Sequence, residues 1–511
     1  MNKKIKILLV FFLAINVFFA AWYLLHGDIF FHTDIARDFL LLDELQLKKF
    51  VLIGPRASGL NGFFHGPLWM YLNFPVYLLS KGNPLAQGWF WFALLITYLT
   101  TSYFIWKKKV GADKALIFIT LLSLFFTLDP DRGFYNGFYN PFGALFLMPT
   151  YFYLFYSYLT EKKVWQLVSL IFLNGLIIQF QIAFGGPLLI LSFFPIIGNI
   201  VKEKKYKHIF SYFILLIPLS TYILFDLRHN FSHFRAIFMP TVDPYAEKIS
   251  FLQMVLQRVE MITSQGLHFF RDPLGALNSI MGICIAFIIY FIITRKKDRS
   301  YLFLFLYFFL GYFTISLVHN GWVMYFYWMQ LYPLTFLFFA HSKDILKEQI
   351  YYPILFFVIV VNTIFNFTNI RKSDLFIGIH QNSWKFEESM AETVFKDAKG
   401  SEFGFFIRAP DIFGYSSKYP FVYLQKKYPN TKAVRYEKKP LTYVIVEPAP
   451  KELDSINKEF SWWMNNKLHI ATEAADITRF YNGFRIEKYV LKGKDLTTPV
   501  EPGVNDWIYF R

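Results

Sequence analysis

The opening run MNKKIKILLVFFLAINVFFAAWYLL, residues 1–25, decides the class of this chain. Lys3, Lys4 and Lys6 precede about twenty mostly apolar residues, the length a helix needs to cross a bilayer. A cleaved leader would end in small residues. Here Ala20-Ala21 run into Trp22, Tyr23 and Leu24, which reads as a retained anchor. Composition extends the reading to the whole chain. Of 511 residues, 55% are hydrophobic, 21% aromatic and only 17% charged, with 64 Phe; the mean hydropathy is +0.35. A soluble domain carries about 25% charged residues, so much of this surface faces something other than water. The aromatic content excludes a long disordered chain. The lone Cys284 can close no intrachain bridge, which excludes a disulfide scaffold.

Ten further runs have spanning character: 88–106, 115–128, 142–160, 164–182, 186–200, 209–225, 276–294, 301–318, 322–340 and 351–369. The fold class expected is therefore mainly α, a polytopic membrane protein of about eleven transmembrane helices. With the N-terminus cytoplasmic, the inner connections are Lys107-Lys108-Lys109, Glu161-Lys162-Lys163, 202–208, Arg295 to Arg299 and 341–349. They hold a large excess of Lys and Arg, as the positive-inside rule requires. The net charge of +16 is thus explained by sidedness, and no nucleic-acid partner is needed. Segment 67–80 is apolar but short and holds Pro75, so it is placed as an interfacial helix on the outer face.

This gives a transmembrane module over residues 1–369, with 26–87 as its first outer loop, and an extracytoplasmic soluble α/β domain over 370–511. In that domain strands are expected at 403–408, 441–446 and 480–491, and helices near 384–398, 416–428 and 451–467.

Few ionisable residues fall within the spans, and no Asp/Glu/His chain or Arg-rich helix marks a proton relay or voltage sensor. The charges that can do chemistry gather at the outer boundary. The first loop begins Phe31-His32-Thr33-Asp34-Ile35-Ala36-Arg37-Asp38, where Asp34 and Asp38 share a face if the stretch is helical. It continues through Arg56 to Phe64-His65-Gly66-Pro67-Leu68-Trp69. The second outer loop carries Asp129-Pro130-Asp131, and the third opens Phe225-Asp226-Leu227-Arg228-His229. No Walker loop, GxGxxG, HExxH or GxSxG occurs.

In its order of one span, an acid in the first outer loop, a Phe-x-His-Gly-Pro-Leu-Trp turn and an outer C-terminal domain, the chain resembles the GT-C superfamily of integral membrane glycosyltransferases. It is most similar to prokaryotic relatives of protein O-mannosyltransferases and lipid A aminoarabinose transferases. The Phe225-to-His229 exit and Phe413-Gly414-Tyr415-Ser416 share the likeness. The resemblance implies transfer of a sugar from a polyprenyl-phosphate donor to a lipid, glycan or protein acceptor at the outer face of the cytoplasmic membrane, with inversion. It gives Asp34 the role of general base, because an attacking hydroxyl needs an acceptor for its proton within hydrogen-bond reach. Phosphate is a good leaving group, so cations and donors suffice on that side. Candidates to hold it are His65, Arg228, Arg56 and His229. Asp129 and Asp131 are candidates to orient the acceptor or a divalent cation; no cofactor is otherwise expected. Two other classes fit the composition. A transporter of lipid-linked precursors would place working polar groups at mid-membrane, and an envelope assembly protein would use the C-terminal domain for docking.

Overall fold

The computed structural model describes residues 1–56, 63–125, 137–238, 249–262, 269–270, 276–294, 300–318, 323, 328–411, 413–449 and 459–504. Helices dominate the first three quarters: α1 (Lys3–Leu25), α2 (Thr33–Lys48), α3 (Leu68–Leu79), α4 (Pro84–Val110), α5 (Ala112–Ser123), α6 (Asn140–Glu161), α7 (Val164–Phe180) and α8 (Ile182–Lys202). A 3₁₀ segment, Tyr206–Leu216, leads into α9 (Ser220–Arg228). Then come α10 (Ser232–Phe238), α11 (Phe251–Met261), α12 (Ala276–Thr294), α13 (Ser300–Ser316), α14 (Tyr332–His341) and α15 (Glu348–Arg371).

The chain is a polytopic membrane protein. Among the described residues, α1, α4, α8, α12 and α15 are long and apolar enough to cross a bilayer. The run expected at 209–225 is instead broken, its two halves bent by 60°. Pro218 lies at the break; it lacks the N–H a continuous helix needs there. Two other expected spans come out short. Helix α5 has 12 residues and α14 has 10, about 18 and 15 Å at 1.5 Å per residue. Parts of both runs, 126–128 and most of 322–327, lie outside the described residues.

Helix α2 was read only as a stretch that could be helical. It is amphipathic, capped by His32, whose Nδ1 accepts from the Asp34 N–H at 3.1 Å, and its apolar face packs into the main core. Helix α3 coincides with the expected interfacial segment, yet it is pinned to α4. Asn73 Oδ1 accepts from Gln87 Nε2 and Trp91 Nε1, at 2.5 and 2.8 Å. Buried amides in an apolar surround must find partners, and here they fix the first loop to the bundle.

The C-terminal part begins with α16 (Trp384–Ala398) and alternates with strands: β1 (Glu402–Arg408), α17 (Tyr415–Lys427), β2 (Lys432–Arg435), β3 (Leu441–Val446), β4 (Asp476–Arg479) and β5 (Arg485–Val490). The sheet order is β2-β1-β3-β5-β4, parallel among the first three and antiparallel thereafter. Alternation along β1 sends Phe403, Phe405 and Ile407 toward α16 and α17, and Phe406 toward Trp463 and Leu468. The later part of the expected strand 480–491 is β5, and its first residues are instead the turn, at Gly483 with φ +89°, that joins it to β4 as a hairpin. Of the helix expected near 451–467, residues 450–458 lie outside the described set, and Phe460–Leu468 is helical.

This domain is docked on the bundle. Trp384 and Tyr419 belong to the main core, with the Phe31 and Trp384 ring centres 4.9 Å apart and those of Phe39 and Tyr419 also 4.9 Å. Asp28, at the exit of α1, is buried and accepts from four donors: the Ile29 N–H (2.8 Å), Ser383 Oγ (2.5 Å), the Lys385 N–H (3.1 Å) and the Gly378 N–H (3.3 Å). Burial pushes its carboxyl up to about 6, against the pull of those donors.

Candidate active site

The first turn of α2 sets the geometry. Asp34 lies one turn before Asp38, and Arg37 reaches both. Its Nη1 donates to Asp34 Oδ1 at 2.6 Å, and its Nε and Nη2 donate to Asp38 Oδ1 at 3.0 and 2.8 Å. The expectation that Asp34 and Asp38 share a face therefore holds, and the residue joining them, Arg37, is not among the expected site residues. Its signal was present in the i, i+3 spacing to an acid on a helix.

The two acids differ in environment. Asp38 is sunk in protein, with 6% of its side chain exposed. Burial raises its carboxyl to about 6, and Arg37 only partly offsets this. Asp34 sits in an open recess, 43% of its side chain reaching solvent. Burial pushes it up, but Arg37 foremost, then His32 and His65, pull harder, leaving it below the usual carboxylate range. At neutral pH it is an ionised proton acceptor. One oxygen is held by Arg37, while Oδ2 makes no hydrogen bond among the described residues and faces His32 Nδ1 at 4.0 Å.

His65 joins this group electrostatically, with Asp34 and Arg37 both acting on it. It is carried by a short hairpin. The Gly54 N–H donates to the His65 carbonyl (2.8 Å), the His65 N–H to the Pro55 carbonyl (3.0 Å), and Arg56 bridges Phe64. The Gly66 N–H is tied in turn to the Gln179 carbonyl at 2.9 Å. These glycines are close-approach positions. A Cβ on Gly54 would lie 2.3 Å from the Gly66 carbonyl oxygen, and one on Gly66 would meet Gln179 at 1.9 Å. Burial first, then the charge of Arg37, drives the His65 imidazole down to about 3, and His32 falls to about 4 for the same leading cause. Both rings are neutral at physiological pH. His65 Nδ1 is buried without a hydrogen-bond partner, so among the expected cations or donors this residue can offer a hydrogen bond but no positive charge.

The outer wall of the hairpin is α9. Tyr222 donates its hydroxyl to the Phe64 carbonyl at 3.2 Å, and the His233 ring stacks on Phe63 and Tyr222 while its Nε2 lies 3.2 Å from the same carbonyl. Asp226, part of the quoted exit motif, accepts from the His233 and Phe234 N–H groups and so starts α10. Arg228 and His229 follow on the last turn, both exposed, with His229 stacked on Phe225. Arg56 is exposed on the same hairpin. These three are thus exposed on the hairpin and at the end of the helix packed against it, while Asp34 and His65 act on one another electrostatically. Asp129 and Asp131 lie outside the described residues. Among the described residues no group of three His, Cys, Asp or Glu is placed to hold a metal.

The C-terminal domain closes the recess. Thr33 Oγ1 donates to Asp411 Oδ2 at 2.8 Å, and Asp411 Oδ1 accepts from the Phe413 and Gly414 N–H groups. Tyr415 sits close enough to act electrostatically on Arg37. The quoted Phe413-to-Ser416 motif is therefore part of the site, brought beside Asp34 across some 380 residues of sequence.

No family model and no curated protein sequence matches this chain. Solved structures do. ArnT from Cupriavidus metallidurans bound to undecaprenyl phosphate superposes with a TM-score of 0.54 at 10% identity, over 96% of this chain and 99% of that one. The apo form gives 0.55 at 9% identity, over 94% and 97%. Identity this low speaks for the fold alone, and it does so over nearly the full length of both proteins: this chain has the fold of ArnT.

Proposed function

We propose that this chain is a GT-C membrane glycosyltransferase that takes its sugar from a polyprenyl-phosphate donor. The observation that carries the reading is the ionised, solvent-reached Asp34, fixed by Arg37 beside the unspent Nδ1 of His65. An ArnT-like fold supports it, since that protein is held with undecaprenyl phosphate. In this scheme an acceptor hydroxyl gives its proton to Asp34 Oδ2 as its oxygen bonds to the anomeric carbon. The bond from that carbon to the phosphate oxygen breaks on the opposite face, with inversion, and the electron pair leaves on polyprenyl phosphate. His65 donates a hydrogen bond to the phosphate, and Arg228, His229 and Arg56 supply donors and charge at the rim. The site lies at the outer face of the cytoplasmic membrane, under the C-terminal domain.

The test is sugar transfer by the purified full chain, offered a panel of polyprenyl-phosphate sugars with membrane extract as acceptor. Asp34→Asn keeps shape and removes the base. Product from wild type and none from a normally folded Asp34→Asn is the expected result. Equal product from both would end the base assignment.

A further inference from the structure

A second cavity opens on the far side of Thr33, between the start of α2 and the C-terminal domain. Its volume is about 540 Å³, inside the range of roughly 300–1,000 Å³ typical of small-molecule sites. Thr33, Glu387, Asp411, Glu447, Asn482 and Phe484 are among its lining residues, and no Lys or Arg lines it. Glu387 comes from α16 and Glu447 from just beyond β3, so two carboxyls converge on one space from separate elements. Burial leads in raising both, Glu447 to about 8 and Glu387 well above the usual carboxylate range, and the repulsion between them adds to the rise in Glu387.

Their hydrogen bonding is incomplete. Ser417 Oγ donates to Glu447 Oε1 at 2.7 Å. Glu387 is fully buried, and neither of its carboxyl oxygens makes a well-formed hydrogen bond; the Ser417 hydroxyl, already donated to Glu447, lies close enough to act on it. A buried polar atom left unpaired costs about 1–3 kcal/mol, and most such atoms are satisfied. Two unspent oxygens on the wall of a cavity therefore point to a partner that arrives from outside.

The chemistry of the wall narrows that partner. With no Lys or Arg in the wall, nothing there pairs with phosphate, sulfate or carboxylate. A metal needs more converging ligands than the described residues bring together. Hydroxyl groups fit, because each O–H can donate to Glu387 or Glu447 and still accept from an amide such as Asn482. The cavity also lies next to the reacting centre: Thr33, which lines it and binds Asp411, immediately precedes Asp34.

We propose that this cavity is the acceptor subsite, holding a polyhydroxylated sugar unit without phosphate or carboxylate, whose hydroxyls donate to Glu387 and Glu447. Its assignment as acceptor rests on the glycosyltransferase reading; the sugar binding itself does not. A ligand seated here presents its next hydroxyl toward Asp34, while the anionic donor is kept on the Arg37 and His65 side.

The experiment is binding of a glycan panel to the full chain in nanodiscs, comparing neutral, amino-bearing, phosphorylated and carboxylated oligosaccharides. Wild type should retain at least one neutral or amino-bearing glycan and none of the anionic ones. Glu387→Gln with Glu447→Gln, checked for a wild-type melting temperature, should weaken that binding at least tenfold. Ala449→Phe, which fills the cavity from a half-buried wall position and leaves both acids in the sequence, should do the same. Asp34→Asn should bind as wild type does while failing to transfer, which separates this proposal from the base assignment. Retention of no glycan, preference for anionic glycans, or undiminished binding in Ala449→Phe and in the folded double variant would each overturn the subsite.

Discussion

Removing Arg37 tests the site where its charges are most tightly coupled. In Arg37→Gln three charge-assisted hydrogen bonds disappear, two of them to Asp38. The two acids then diverge. Asp34, 43% exposed, is screened by water, and losing its partner there costs no more than about 1 kcal/mol. Asp38, 6% exposed, is left as a buried charge without its cation, and breaking such a pair costs about 3–5 kcal/mol. Nearly all the damage should thus come through Asp38. The double variant Arg37→Gln with Asp38→Asn removes the stranded charge and should recover most of the loss, leaving a coupling of about 2–3 kcal/mol between the two changes. The pH dependence follows the same logic. Asp38 already titrates above its unfolded value, near 6, and without Arg37 it rises further, so the folded variant binds this proton more tightly than the unfolded chain. The loss should therefore be small near pH 5 and full near pH 8. Chemical unfolding of wild type, both singles and the double in one detergent, at those two pH values, measures all of this. Additive losses, or a loss independent of pH, would refute the argument.

Other expectations are simpler. Asp28→Ala strands the Ile29 and Lys385 N–H groups and the Ser383 hydroxyl, while the Gly378 N–H keeps Ser383 Oγ, and should cost about 3–6 kcal/mol and expose the C-terminal domain to limited proteolysis. Because Asp28 titrates near 6 rather than 3.8, wild-type stability should fall as pH rises between those values, and Asp28→Asn should lose that slope. Gly54→Ala forces a methyl onto the Gly66 carbonyl oxygen and should cost about 1–3 kcal/mol, with transfer lost along with the His65 hairpin. His65 is neutral down to about pH 3, so transfer should show no inflection from it between pH 5 and 8. His65→Gln, which can still donate, should keep far more activity than His65→Leu, where removal of a donor costs on the order of 10²-fold.

Much of the scaffold is legible in the sequence because bilayer and sheet impose strict periods. The apolar runs place the helices, and α16, α17, β1 and β3 fall within a residue or so of their expected bounds. The broken span does not follow from hydropathy, since Pro218 leaves the apolar average untouched while removing a backbone donor. Asp34 and His65 could be selected from motif and boundary position. Arg37 could not be ranked, because its importance comes from reaching two acids of unequal burial, in surroundings that Trp69 and Tyr415, remote in sequence, help to form. The Glu387–Glu447 pair was invisible for the same reason: sixty residues apart on a helix and a strand end, each looks like an ordinary surface acid until the sheet folds.

The bonds of Asp28 to Gly378, Ser383 and Lys385, and of Thr33 to Asp411, also set an order of events in the cell. Asp34 leaves the ribosome with the first membrane segment, whereas the residues that close its recess emerge hundreds of residues later. Through nearly all of synthesis the chain holds an acid in place without a pocket around it. On the glycosyltransferase reading, competence would arrive only when the C-terminal domain folds back onto the exit of α1 and the start of α2, and a copy lacking that contact would not consume lipid-linked sugar.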